Sequence, residues 1–484
     1  MKNRIKQYLL AASMCVGLTA CSDFFEPIPG VQFGLDETFA SKQRTEEYLN
    51  NVYSYVREVT DAIHPNTYGG IFTEASLDGA NRWNKTYAEW TNGSFNSASA
   101  QASEYFSKYY QAIAKASTFI QNVDKCTEAA ASTRGKWKSE ARALRAYYYF
   151  ELLRLYGPIP LIGEDPIPLD ASLEELIKER NSVDECVNFI ATELQSAIDS
   201  GDLLQRAGKA NLGRMDVATC MALKAKLYLY WASPLFNGNT DQASVKNKDG
   251  KQLFPQTEDN SKWTQARDAY ERFMTFATGQ GYKLTEVYTN GKLDPYASCR
   301  AAGEFFTTTW EAVDELIFVK LRDLYDYTYW VCPKFTDFQD TDVTGGGGYY
   351  TTQETVDLFF TKDGLTIEED PGYDKFEGIP GANNFTSGRY YDPNNPSRLY
   401  FDADKSKVLK QWKDREPRFY VNITYSGSIW LNEGKYNEEM RTDFTNGANG
   451  TCGKSKASGD CPDSGYLIRR GAKASNNNGS KHFS

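Results

Sequence analysis

The stretch Trp137–Ile162, WKSEARALRAYYYFELLRLYGPIPLI, decides the fold. Its apolar residues recur at Trp137, Ala141, Leu144, Tyr148, Leu152 and Leu155. Steps of three and four lay one stripe along a helix. The other side carries Ala143, Tyr147 and Phe150, so this helix needs neighbours on two faces. Gly157-Pro158 stops it just after Tyr156.

Working outward, the same periodicity recurs. Upstream, Phe106, Tyr109, Ile113, Ala116, Ile120 and Val123 form one face of a long amphipathic helix. Downstream, Ser182 with Glu185 makes a capping box, and that helix runs through Val187, Ile190, Leu194 and Ile198 to Gly201. Two more helices follow, over about Met215–Trp231 and Trp263–Thr278. Consecutive helices joined by turns predict stacked pairs of the tetratricopeptide kind over about residues 36–280. Residues 281–470 read differently. Gly345–Gly348 is a flexible run, and residues 370–400 are rich in Gly, Asn, Pro and Asp. Short strand-like pieces fall at Phe419–Tyr425, Ile429–Leu431 and Ser464–Arg470. The expected class is mainly α, with long loops and small β elements, in a single domain over 21–484. Long loops in a compact domain usually carry function.

The chain opens with Lys2, Arg4 and Lys6, followed by an apolar run from Tyr8 to Ala20. That run is too short to span a bilayer, which needs roughly 20 apolar residues. A basic start, a short apolar core and small residues predict a secretory leader over 1–20. Leu18-Thr19-Ala20-Cys21 resembles a bacterial lipobox, so Cys21 is the expected lipidation site. Several acyl chains on one residue anchor stably. The formal net charge is −10, and loss of the leader makes the rest more acidic. Such a chain favours neither nucleic acid nor an anionic membrane surface.

Taken together, the segments resemble the SusD/RagB family of outer-membrane lipoproteins from Bacteroidetes. Its pattern EA-x-x-LRA-x-x-YF followed by YG-x-x-P is matched by Glu140, Ala141, Leu144, Arg145, Ala146, Tyr149, Phe150, Tyr156, Gly157 and Pro160. EEYLNNVYSYV and YYQAIAKASTFIQNV precede it in family order; TVDLFFTKDG and REPRFYVNITYSG follow. One departure stands out. A helical segment like RLAE-x-x-LNYAEA is expected after Ser464–Arg470, whereas Ser475–Ser484 form a polar tail; the reading is of an end truncated or replaced. The resemblance implies a SusD-like fold held at the cell surface by its lipid. It further implies capture of a glycan, or of a peptide in RagB-like members, for delivery to a SusC-like TonB-dependent transporter. It implies no enzyme activity and no cofactor.

The residues independently favour binding. The chain has two histidines, His64 and His482, too few for multi-histidine metal sites and badly placed for a triad. No GxSxG elbow occurs. Gly453-Lys454-Ser455 imitates a phosphate loop, but Ala448 stands where its first glycine belongs. Asp402, Asp404 and Ser406 begin like a calcium loop, yet Lys407 and Lys413 occupy its glycine and glutamate positions. Nine cysteines include no CxxC pair; Cys186 and Cys220 fall in apolar helical patterns, and Cys452 and Cys461 are the pair to weigh for a disulfide.

Aromatics in polar loops remain. Sugars offer C–H faces to Trp and Tyr and hydroxyls to Asn, Asp and Arg. DGANRWNKTYAEW brings Asn81, Arg82 and Trp83 together between helices, in an early loop where the family resemblance also implies binding. LYDYTYW carries Tyr325, Tyr327, Tyr329 and Trp330, with the tyrosines on one face of an extended segment. Tyr296, in the loop after Pro295, is a third candidate. Against these stand a buried-face reading of the same aromatics, a surface glycosidase whose paired carboxylates the sequence does not single out, and a purely structural scaffold.

Overall fold

The structure is a computed structural model. It describes residues 34–57, 79–81, 93–99, 101–163, 171–303, 314–320, 330–334, 345–376, 380–430 and 461–469, with a few isolated positions. The expected leader and Cys21 lie outside the described residues, as do the polar tail and both histidines.

Two short helices, α1 (Leu35–Ala40) and α2 (Lys42–Ser54), lead into strand β1 (Ala80–Asn81) and the long helices α3 (Gln101–Asn122) and α4 (Ala131–Tyr156). After the single turn α5 (Leu173–Leu176) come α6 (Val183–Asp199), α7 (Val217–Ala232) and α8 (Ser261–Gly279). Each long helix packs on the next: α3 on α4, α4 on α6, α6 on α7 and α7 on α8. The fold is mainly α, with tetratricopeptide-like helical pairs.

Helix α4 is the hub. From Ala143 to Leu153 every residue is buried, Arg145 and Glu151 included, as a helix contacted on both faces requires. Its polar residues are tied rather than solvated. The Arg145 guanidinium donates to Glu193 Oε2 of α6 (Nε, 2.8 Å) and to Ser117 Oγ of α3 (3.0 Å). Glu140 accepts from Tyr53 Oη of α2 (2.8 Å) and pairs with Arg214 just before α7 (3.4 Å). Tyr149 Oη donates to Ile162 O (2.7 Å) and accepts from Ile162 N (3.0 Å), folding the YG-x-x-P turn back onto its own helix. Gly157 ends α4 at φ +67°, where a Cβ would come 3.0 Å from the Phe254 ring. Ser182 caps α6 with the predicted reciprocal bonds to Glu185, and Cys186 and Cys220 are core residues. Phe106, expected on an apolar face, is instead exposed.

Beyond α8 the chain forms a small hairpin, β2 (Tyr288–Thr289) with β3 (Lys292–Leu293), then α9 (Pro295–Gly303), β4 (Tyr349–Tyr350) and α10 (Gln353–Asp357). A larger hairpin pairs β5 (Arg389–Asp392) with β6 (Asn395–Asp402). Helix α11 (Pro417–Asn422) runs directly into β7 (Ile423–Tyr425), and β8 (Tyr466–Ile468) completes a sheet of order β1-β4-β8-β7. A second hydrophobic cluster, built on Phe401, Trp412, Phe419, Tyr420 and Tyr425, packs beneath these elements. The strand expected over Phe419–Tyr425 is therefore half helix: Pro417 sits in the first helical turn, where its missing N–H costs nothing. Ile429 and Trp430 form no strand either. Ile429 N bonds Tyr400 O at the edge of β6 (3.0 Å), Trp430 is buried, and Leu431 lies outside the described residues. Cys452 and Cys461 are both buried, within a stretch largely outside the described residues.

Candidate functional site

The glycine run is pinned rather than loose. Gly345 N bonds Pro333 O (3.1 Å), Gly347 N bonds Cys332 O (3.0 Å) and Gly348 N bonds Trp330 O (3.1 Å). Residues 345–348 are buried; backbones can approach this closely because no side chain intervenes. The next residues form β4, in which Tyr349 pairs with Asn81. Two nominated segments thus meet on the stretch 345–350: Asn81 on one side and Trp330, half-buried, on the other. Arg82, Trp83, Tyr325, Tyr327 and Tyr329 lie outside the described residues.

Tyr296 sits elsewhere. It lies within α9 rather than a loop, and is buried in the second cluster. The Arg398 guanidinium lies 4.2 Å from its ring centroid, and the Tyr400 ring is 5.5 Å away. Together they border a cavity of about 450 Å³, within the usual range for small-ligand sites. Tyr420, Tyr425 and Trp430 add aromatic walls; Arg300, Asn395 and Arg469 add polar ones. Tyr400 and Tyr420 stack at 3.9 Å, nearly parallel, so the wall presents a rigid aromatic layer. Sequence reasoning missed Arg398, Tyr400, Trp430 and Arg469. The signal was available for the last: an arginine closing an apolar strand, YLIR, is costly unless something receives its charge.

The electrostatics of the wall are set by Asp294, one residue before α9. Its carboxylate accepts both Arg398 Nη atoms (3.0 Å each), Ala297 N (2.9 Å) and Thr289 Oγ1 (2.9 Å). Burial alone would raise its pKa, but these donors outweigh burial and hold it at about 2. Since the folded value lies below the unfolded one, about 3.9, the stabilisation is complete above pH 4 and fades as pH falls towards 2. Acid unfolding followed by tyrosine fluorescence should therefore steepen between about pH 4 and 2, and Asp294→Asn should flatten that limb. No group of His, Cys, Asp and Glu among the described residues is arranged to hold a metal. No described helix is long and apolar enough to cross a membrane.

Stacked helical pairs carrying a loop-built aromatic surface define the class of scaffold. The chain belongs to the SusD/RagB family. Residues 315–483 match the model described as SusD family, and residues 32–229 match one described as starch-binding, associating with outer membrane. A SusD-like protein of Bacteroides ovatus is 27% identical over 175 residues, 35% of this chain and 30% of that protein. The chain thus matches less than a third of that relative's length. The solved structure of BT4246 superposes with a TM-score of 0.71 at 23% identity, covering 89% of this chain and 72% of that one. A SusD-like carbohydrate binding protein of Bacteroides fragilis gives 0.57 at 18%, covering 90% and 68%. These likenesses establish the fold.

Proposed function

We propose that this protein is a surface lipoprotein, anchored through Cys21 in the outer membrane and facing the cell exterior. There it captures oligosaccharide and passes it to a SusC-like TonB-dependent transporter. The aromatic-walled cavity beside α9 carries this reading: stacked Tyr400 and Tyr420, with Tyr296 and Trp430, offer faces for sugar C–H groups, and Asn395 and Arg398 offer polar contacts. Asn81 and Trp330, joined through residues 345–350, remain ligand-binding candidates, as do Arg82, Trp83, Tyr327 and Tyr329 on the sequence alone. Family membership, and a fold shared with a carbohydrate binding protein, support the same assignment.

Binding without turnover fits the state of Asp294, the carboxylate that holds Arg398 in the cavity wall. A glycosidase needs an acid whose pKa is raised so that it can donate a proton. Asp294 is held in the opposite direction and locked to Arg398. A peptide ligand is the alternative within the family. Delivery is testable in cells: Cys21→Ser should abolish surface display and growth on the cognate glycan while leaving growth on glucose intact. Undiminished growth on the glycan, with the protein released from the membrane, would refute the tethered-capture role.

A further inference from the structure

Three arginines are buried among the described residues: Arg145, Arg415 and Arg469. Arg145 meets the Glu193 carboxylate, and Arg398 meets those of Asp294 and Asp392. Arg469, closing strand β8, meets none: among the described residues no acidic side chain lies within ion-pairing distance of it. Its Nη2 donates to Ile429 O (2.8 Å) and its Nη1 to Tyr420 O (3.4 Å), while Nε has no partner. It is 6% exposed and lines the cavity. Arg415 also lacks a carboxylate, but it is enclosed by four oxygens, from Tyr373, Gln411, Val356 and Phe359. Arg469 has two, with the cavity beside it. A second atom there is in the same condition: Tyr425 Oη is buried without a partner.

Burying a cation without an anion is costly, and so is burying a hydroxyl without a partner. Arg300 lines the same cavity and raises the local positive charge. Burial, first, and Arg300 push the Arg469 pKa down, whereas Tyr296 and Tyr425 oppose them. Both orphan atoms and the second cation favour one kind of occupant: a group with anionic oxygens that can take a guanidinium N–H and a phenol O–H together. The aromatic layer beside them suits a sugar ring.

We infer that this cavity receives an acidic sugar residue, its carboxylate or sulfate seated on Arg469 and Tyr425 with its ring against Tyr400 and Trp430. The inference rests on the glycan reading of the cavity and sharpens it to anionic saccharides.

Calorimetry of the full chain in detergent tests this, with oligogalacturonate, a sulfated galactan oligosaccharide and a maltooligosaccharide of equal length. The expected result is at least tenfold tighter binding of one or both acidic ligands, weakening with salt; whichever binds names the anion. Tyr425→Phe, which removes one oxygen from a buried ring, and Arg300→Gln should each bring the acidic-to-neutral affinity ratio close to one. These two variants keep the test readable if Arg469→Met fails to fold. Equal wild-type affinities would overturn the acidic-sugar assignment and leave the glycan reading standing. An acidic preference unchanged in both variants would do the same. Binding of a glutamate-containing peptide and of no saccharide would overturn both.

Discussion

Glu193→Ala is expected to cost about 3–5 kcal/mol of unfolding free energy, because it strands a buried cation. Arg145 is fully buried, and Glu193 is its anion; Arg142 adds a further bond to the same carboxylate (3.1 Å). The cost should appear as a lower urea midpoint with an unchanged slope. A double variant, Arg145→Met with Glu193→Leu, should recover most of the loss, since removing both partners is far milder than removing one. A single variant as stable as wild type would show that this pair does not join α3, α4 and α6 as described. The pair also explains why arginine stands in the LRA element of α4: it is a staple between helices, and no contact gives it a role in binding.

Phe419→Ala is expected to cost a similar amount, about 3–5 kcal/mol, as an aromatic truncation in a packed core. Phe419 is fully buried. Its ring stacks on Tyr425 at 5.1 Å, meets Phe359 edge-on at 5.9 Å and lies under the Arg415 guanidinium. The change hollows the cluster supporting the cavity wall, so ligand affinity should fall with stability. The two variants belong to separate clusters and share no partners, so their costs should add within about 0.5 kcal/mol. A large coupling between them would contradict the description of two cores.

The helical half was legible because its information is local. The three-and-four spacing of Trp137 to Leu155, the stop at Gly157 and the Ser182–Glu185 cap each lie within one turn of the element they specify. Phe419–Tyr425 was misread because a short apolar run fits either period; Pro417, at the first helical turn, was the cue that favoured helix. The glycine run looked loose because nothing local shows that Trp330–Pro333 will bond to it. The pairing of Asn81 with Tyr349, and of Tyr350 with Leu467, joins residues more than a hundred positions apart, and two-residue strands carry no pattern that fixes such register. Tyr296 was singled out as an aromatic of interest, but it stands in a helix rather than a loop. Its environment depends on Arg398 and Tyr400, which arrive from the hairpin about a hundred residues later. Arg469 became meaningful only once its surroundings supplied no anion.

We propose that this chain binds saccharide and does not transform it. Screening the full chain against matched arrays of oligosaccharides and peptides, with recovery and mass analysis of whatever is bound, tests both halves at once. The expected result is saccharide ligands returned intact, with affinity reduced about tenfold by Trp330→Ala, a loss of about 1.4 kcal/mol. Retention of peptides alone, or recovery of cleaved saccharide, would contradict it.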